Sequence, residues 1–305
     1  MANDDVALAV NNVTKRYDDF TAVEDLSLAV RRGRIFGLIG PNGAGKTTTI
    51  RMIVGITAPD VGNIELLGRP VNLESQNRIG YLPEERGLYK KMKVGEQLRF
   101  FGQLKNLTPR AADEAADRWL EKLKLADWKN KKTDELSKGM QQKIQFITAV
   151  MHEPDLLILD EPFSGLDPVN SELLKETVLE LKAAGRTIIF STHLMEQAEK
   201  LCDDICLMNR SRKVLAGSLR EVKSGFGRNA VALRYEGETN GVLDDKELVA
   251  SVKDAGDYME ALLAEGADSQ ELLRRLVASG ARVTKFEQVE PSLHEIFITK
   301  VNETS

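Results

Sequence analysis

Short continuous apolar runs alternate with segments whose apolar residues recur every three or four positions over the first two thirds of the chain. From Val6 to about Lys223 this pattern predicts strands interleaved with helices, the arrangement of an α/β sheet domain. Arg34–Ile39 reads as a strand entering a glycine-rich loop, with Lys46–Gly55 as the helix that follows. Leu156–Leu159 and Thr187–Ser191 are apolar enough to be buried on both faces, as central parallel strands are. Between Val94 and Met151 the period shifts to that of a helix, which predicts a separate helical lobe. Pro109 can open a helix because its missing N–H costs nothing in the first turn. Along that helix Ala112, Ala116, Trp119, Leu120 and Leu123 share one face.

The two glycines of Ser224-Gly225-Phe226-Gly227 predict a domain boundary. Beyond it come a strand (Ala230–Tyr235), a helix (Ser269–Ser279), a strand (Ala281–Phe286) and an amphipathic close (Pro291–Val301). The expected division is therefore 1–224 and 225–305, the second part a small α+β domain. No internal repeat or low-complexity tract is visible.

Composition narrows the function classes. The 305 residues are 42% hydrophobic and 29% charged. No apolar run approaches the roughly 18 residues that a membrane-spanning helix needs. The acidic start Met1-Ala2-Asn3-Asp4-Asp5 lacks the pattern of a secretion signal, so a cytosolic chain is expected, with any membrane role through a partner. The net charge of −5 gathers in 225–305, which holds nine Lys/Arg against fifteen Asp/Glu. That disfavours nucleic acid as a partner. Cys202 and Cys206 have no second pair and no nearby histidine, so packed thiols are expected rather than a metal site.

The chemistry lies in three short segments. Gly40-Pro41-Asn42-Gly43-Ala44-Gly45-Lys46-Thr47 fits the phosphate-loop pattern and falls between a predicted strand and a predicted helix. Its glycines let consecutive N–H groups turn toward phosphate oxygens. Lys46 supplies a point charge, Thr47 a hydroxyl for Mg²⁺, and the helix start a positive dipole end. Leu156-Leu157-Ile158-Leu159-Asp160-Glu161 delivers two carboxylates at the end of a buried strand, beside the phosphate loop of an adjacent parallel strand. Asp160 then suits Mg²⁺, and Glu161 suits orienting and polarising the attacking water. Leu136-Ser137-Lys138-Gly139-Met140-Gln141 precedes a helical stretch that Ser137 can cap.

In their chain order, with Leu136–Gln141 after the phosphate loop and before the paired acids, the segments resemble the nucleotide-binding subunit of an ABC (ATP-binding cassette) transporter, over about Val6 to Lys223. The resemblance implies a P-loop NTPase cassette with a RecA-like core, an antiparallel β subdomain and a helical lobe at about 94–151. Its cofactors would be ATP and Mg²⁺. Tyr17 matches the residue that stacks on adenine, and Gly40–Thr48, including Thr48, matches the Walker A loop. Ser137, Gly139 and Gln141 fall in the signature motif, with Lys138 and Met140 where Gly and Gln are usual. Ser164-Gly165-Leu166-Asp167 matches the D-loop, and His193 the switch histidine that contacts the γ-phosphate. In this family two cassettes dimerise head to tail, so that Ser137 and Gly139 would close on a partner's nucleotide.

The chain departs from the family where a glutamine normally stands: Glu84 takes that place, and a carboxylate can also ligate Mg²⁺. Glu85–Gln103, with Leu88-Tyr89 and the Lys90, Lys91 and Lys93 cluster, matches the region that receives a permease segment. The C-terminal part resembles the accessory domain of a branch associated with sodium and drug efflux. The resemblance thus implies an ATPase on the cytoplasmic face of the membrane, dimeric with itself or a homologous subunit, driving an integral permease, with a lean to export. A soluble ABC ATPase acting on nucleic acid or ribosomes is the alternative, although one cassette, a short helical lobe and an acidic tail argue against it. A P-loop kinase or GTPase needs neither signature helix nor switch histidine.

Overall fold

The computed structural model describes residues 5–72, 74–85, 87–226, 230–254, 256–264 and 266–303. The chain divides into two compact units, Met1–Leu219 and Arg220–Ser305.

The first unit opens with two twelve-residue strands, β1 (Val6–Tyr17) and β2 (Phe20–Arg31), joined by a tight turn at Asp18 and Asp19. Then follow β3 (Ile35–Ile39), α1 (Lys46–Ile53), β4 (Val61–Leu66), β5 (Arg69–Pro70) and β6 (Ile79–Leu82). The helical lobe comprises α2 (Val94–Leu104), α3 (Pro109–Lys122) and α4 (Lys138–Val150). The unit closes with β7 (Leu156–Asp160), α5 (Pro168–Ala183), β8 (Thr187–Thr192), α6 (Met195–Leu201), β9 (Asp204–Asn209) and β10 (Arg212–Ser218).

These strands form two sheets. One is antiparallel, in the order β2-β1-β4-β5. The other, β10-β9-β3-β8-β7-β6, is parallel except for the edge strand β10. Every residue of β3, β7 and β8 is buried, which is why the centres of these strands are apolar, with polar residues only at the ends of β7 and β8. The alternating β1 and β2 instead bury one face, and Leu8, Val10, Leu26 and Val30 join Ile50 and Ile53 of α1 and Leu38, Ile158 and Ile189 of the parallel sheet in one core. Each such side chain contributes roughly 1.5–3 kcal/mol.

In the helical lobe Thr108 caps α3 by accepting from the Ala111 N–H, and Pro109 takes the first turn. The face turned inward is Ala112, Ala115, Ala116 and Leu120, with Trp119 only partly covered. The lobe is tied to the sheet where α4 lies against β6. A Cβ at Gly80 would sit 2.0 Å from the Ala149 carbonyl, so only glycine permits that approach.

The second unit begins within α7 (Leu219–Gly225) and continues with β11 (Ala230–Glu236), β12 (Val249–Asp254), β13 (Met259–Leu263), α8 (Ser269–Ala278), β14 (Arg282–Val289) and α9 (Leu293–Glu303). Its sheet runs β12-β13-β11-β14, all antiparallel, with Leu272 and Leu276 of α8 packed on Val231, Leu233 and Leu263. Two differences from the sequence reading arise here. Ser224 and Gly225, expected at a boundary, are the last residues of a helix, and the division falls between Leu219 and Arg220. Strands β12 and β13 were not expected, because β12 is an edge strand with only Val249 buried and carries little apolar alternation.

Candidate active site

The loop after β3 is held by backbone contacts that only its sequence allows. Gly45 has φ 102°, and a Cβ there would lie 2.5 Å from the Ala22 carbonyl. The Gly40 N–H donates to the Thr192 carbonyl (3.4 Å), which fastens the loop to the end of β8. Lys46 is buried, and its ammonium donates to the carbonyls of Gly40 (2.7 Å) and Pro41 (3.1 Å). Burial lowers the Lys46 pKa, while the carboxylates of Glu161, Asp160 and Glu84 act the other way.

Asp160 ends β7 and Thr47 begins α1. The strand carrying the acids is not the neighbour of β3 as expected, because β8 lies between them. The two groups still meet, since α1 returns from the loop to pack against β7. The Thr47 hydroxyl donates to Asp160 Oδ2 at 3.3 Å. Asp160 is almost fully buried, and its Oδ1 has no hydrogen-bond partner among the described residues. Burial raises its pKa, the nearby Ser191 and Thr47 hydroxyls oppose this, and the neighbouring Glu84 and Glu161 add to it. A buried carboxylate oxygen without a partner, next to a hydroxyl, is a hard-oxygen donor set that suits a divalent cation such as Mg²⁺.

Glu161 adopts φ +48°, a left-handed conformation rare for this residue, and its N–H donates to the Ser191 carbonyl. This turn points the carboxylate across the sheet to the end of β8. Glu161 Oε1 there accepts from the His193 backbone N–H (2.9 Å) and lies 2.7 Å from His193 Nδ1. Two residues 32 apart in sequence are thus one hydrogen-bonded unit, with the His193 ring half exposed.

The loop and the acids open on one cleft lined by Asn42, Gly43, Gly45, Lys46, Thr47, Thr48, Glu84, Asp160 and Glu161. Gly40, Pro41 and Ala44 shape the loop without lining that cleft. Glu84 is exposed, and no three acidic, histidine or cysteine side chains converge as a metal cluster among the described residues. Tyr17 is not in the lining. It is 45% exposed at the end of β1, with the Lys15 ammonium 5.5 Å over its ring, and it pairs across the turn with Phe20. Phe20 and Ala22 do line the cleft, and sequence reasoning missed both. No local pattern marks either residue, because their approach to the loop is made by the antiparallel sheet.

The start of α4 stands apart from this cleft. Ser137 caps the helix by accepting from the Met140 N–H at 3.3 Å, and Gln141 Nε2 donates to the carbonyls of Thr133 and Leu136. Gly139 lies against Leu166 of the segment before α5. None of Ser137, Gly139 and Gln141 lines the cleft. Cys202 and Cys206 are buried free thiols, and burial pushes the Cys206 pKa up to about 12. Among the described residues no helix is long and apolar enough to cross a membrane.

Residues 23–164 match the ABC transporter family, and residues 217–301 match the C-terminal domain of DrrA1-3-like ATP-binding proteins. The chain is 48% identical to the ABC transporter ATP-binding protein YhaQ of Bacillus subtilis, over 96% of this chain and 98% of that one. It is 36% identical to the Nod factor export ATP-binding protein I of Burkholderia lata, over 94% of each. A solved ATP-binding subunit of an ABC transporter superposes with a TM-score of 0.68 at 33% identity, covering 72% of this chain and 93% of the other. The chain therefore belongs to the ATP-binding proteins of the ABC transporter family, the ATPases that hydrolyse ATP to drive transport.

Proposed function

We propose that this chain works as a head-to-tail dimer on the cytoplasmic face of the membrane, energising a separate permease, in the direction of export. Within one chain the loop Gly40–Thr48 wraps the phosphates, and Lys46 exchanges its two carbonyl partners for them. Thr47 and Asp160 would hold Mg²⁺, which when bound neutralises phosphate charge. Glu161 accepts a proton from the attacking water, and His193 keeps that carboxylate aimed while its exposed ring faces the γ-phosphate. Tyr17 offers a face to adenine from the turn beside the cleft.

The observation that carries the dimer is the separation of the α4 start from the cleft. Ser137 and Gly139 sit at the N-terminus of a thirteen-residue helix, a good partner for phosphate that the chain's own loop does not use. A second copy related by a two-fold axis supplies that helix to each cleft. Export is supported by the name of the Burkholderia relative and by the match at the C-terminal domain. A permease partner is supported by the relatives' designation as transporter subunits.

Complementation tests the dimer. A Cβ at Gly139 would sit 3.3 Å from a Leu166 methyl, which is movable, so Gly139→Asp should fold. Its carboxylate would repel a partner's γ-phosphate, and both Gly139→Asp and Glu161→Gln should be inactive alone. Mixed equally, random pairing leaves about a quarter of the sites intact, and activity should return to about that fraction. Normal hydrolysis by Gly139→Asp, or no recovery on mixing, rejects the head-to-tail arrangement. Tagged chain should in addition retain one integral membrane protein from detergent-solubilised cells of its source.

A further inference from the structure

A second pocket, of about 360 Å³, lies between the helical lobe and the core, within the size range of small-molecule sites. It is framed by α3, the turn after α4, the start of β7 and the end of α5, and it shares no lining residue with the ATP cleft. Leu157 stands three residues before Asp160 on β7, so the pocket lies about 10 Å along the strand from the acids. Val150, Pro154 and Leu157 are buried in its wall, and Leu181 adds a partly exposed apolar side. Trp119 lines it as well. The indole is only partly covered, and an edge-to-face contact with the buried Phe146 braces it, ring centroids 6.1 Å apart.

Around this apolar body the charge is one-sided. Arg118, Lys122 and Arg186 bring three cations to the lining against one carboxylate, Glu153. Arg118 makes no hydrogen bond or ion pair among the described residues. The Lys122 ammonium stands 5.3 Å over the Trp119 ring and pairs with Glu180. Arg186 donates to the Glu153 and Pro154 carbonyls, which fixes its guanidinium in place, and it pairs with the Glu153 carboxylate at 3.2 Å. The two carboxylates are 61% and 70% exposed, and ion pairs so solvated are weak enough to yield to an incoming anion. We propose that this pocket binds a small amphipathic anion, with an aromatic body against Trp119 and Leu157 and a single sulfonate or carboxylate among Arg118, Lys122 and Arg186. A neutral aromatic molecule forgoes the cations and an inorganic anion forgoes the apolar wall, so the ligand needs both halves. The inference is independent of the dimer and permease readings above.

The probe is 8-anilinonaphthalene-1-sulfonate, an aromatic body with one sulfonate, whose emission rises in apolar surroundings. It is titrated into the full chain with the ATP cleft saturated by ADP and Mg²⁺. N-phenyl-1-naphthylamine, which has the same rings without the charge, and sodium sulfate are run beside it. The sulfonate should bind once per chain and about tenfold or more tighter than the neutral amine, and sulfate at equal concentration should not displace it. Arg118→Glu, at an exposed helix position, should weaken the dye about tenfold or more by reversing the charge at the rim. Glu153→Gln should tighten it about threefold or more, because it removes the one lining carboxylate and releases Arg186. Opposite shifts in two variants whose melting temperatures match wild type are not produced by general loosening of the fold. Equal binding of the charged and neutral dyes would show that the cations take no part, and unchanged binding by both variants would place the dye elsewhere. Either result overturns the inference, as does the absence of saturable binding.

Discussion

Glu161→Gln separates chemistry from structure at the centre of the site. The amide keeps the size of the side chain and an oxygen that can accept from the His193 N–H, at 2.9 Å in the wild type. It loses the charge on that bond and on the 2.7 Å contact with Nδ1. A hydrogen bond to a charged group is worth about 1 kcal/mol more than a neutral one, so two contacts lose about 2 kcal/mol at most. Relief of repulsion with Asp160 offsets part of this. For a unit of this size that loss lowers the melting temperature by about 4–8 °C, leaving the chain folded at assay temperature. Turnover should fall far more. The amide cannot take a proton from water, and loss of a general base costs about 10²–10⁴-fold in rate, or about 3–5 kcal/mol of barrier. Phosphate release at saturating ATP and Mg²⁺ measures turnover, a fluorescent ATP analogue measures binding, and size exclusion with ATP should show an accumulated dimer. Binding kept with turnover lost is the expected pair. Turnover within about fivefold of wild type refutes the role of Glu161.

Three further outcomes are expected. Gly45→Ala forces a Cβ against the Ala22 carbonyl at φ 102°, costing about 1–3 kcal/mol before any clash, and titration with the same analogue should show binding largely lost. For Asp160→Asn the sign follows from a carboxyl whose pKa is raised on folding: its contribution to stability is present below the unfolded value and lost as pH rises through the folded one. The nucleotide-free variant should therefore melt above wild type at neutral pH, with the advantage shrinking toward the ordinary aspartate value of 3.8, while hydrolysis disappears. Glu84→Gln removes one negative charge from the cleft lining and should raise the Mg²⁺ concentration for half-maximal hydrolysis; overlapping titrations would exclude Glu84 from the metal site.

Whatever depends on near neighbours was legible in the chain itself. The phosphate loop is eight consecutive residues whose shape follows from glycine freedom and a strand-to-helix junction. The helices starting at Pro109 and after Ser137 carry their own caps, and β3, β7 and β8 announce their double-sided burial by the apolar runs at their centres. Other features exist only once distant segments meet. The order β3-β8-β7 separates the loop from the acids by a strand, a choice made by crossover connections rather than by the residues of β7. The left-handed Glu161 and its bond to His193 require β7 and β8 to end side by side. Phe20 reaches the cleft because the antiparallel sheet brings its turn to the loop, and no local pattern marks that approach. Arg118, Lys122 and Arg186 look like separate surface charges in sequence; only the tertiary fold gathers them round one pocket with Val150 and Leu157 in its wall. The physical reason is common to all of these: local conformation is set by a few adjacent dihedrals and caps, whereas burial and partner choice are set by which non-adjacent surfaces are packed together.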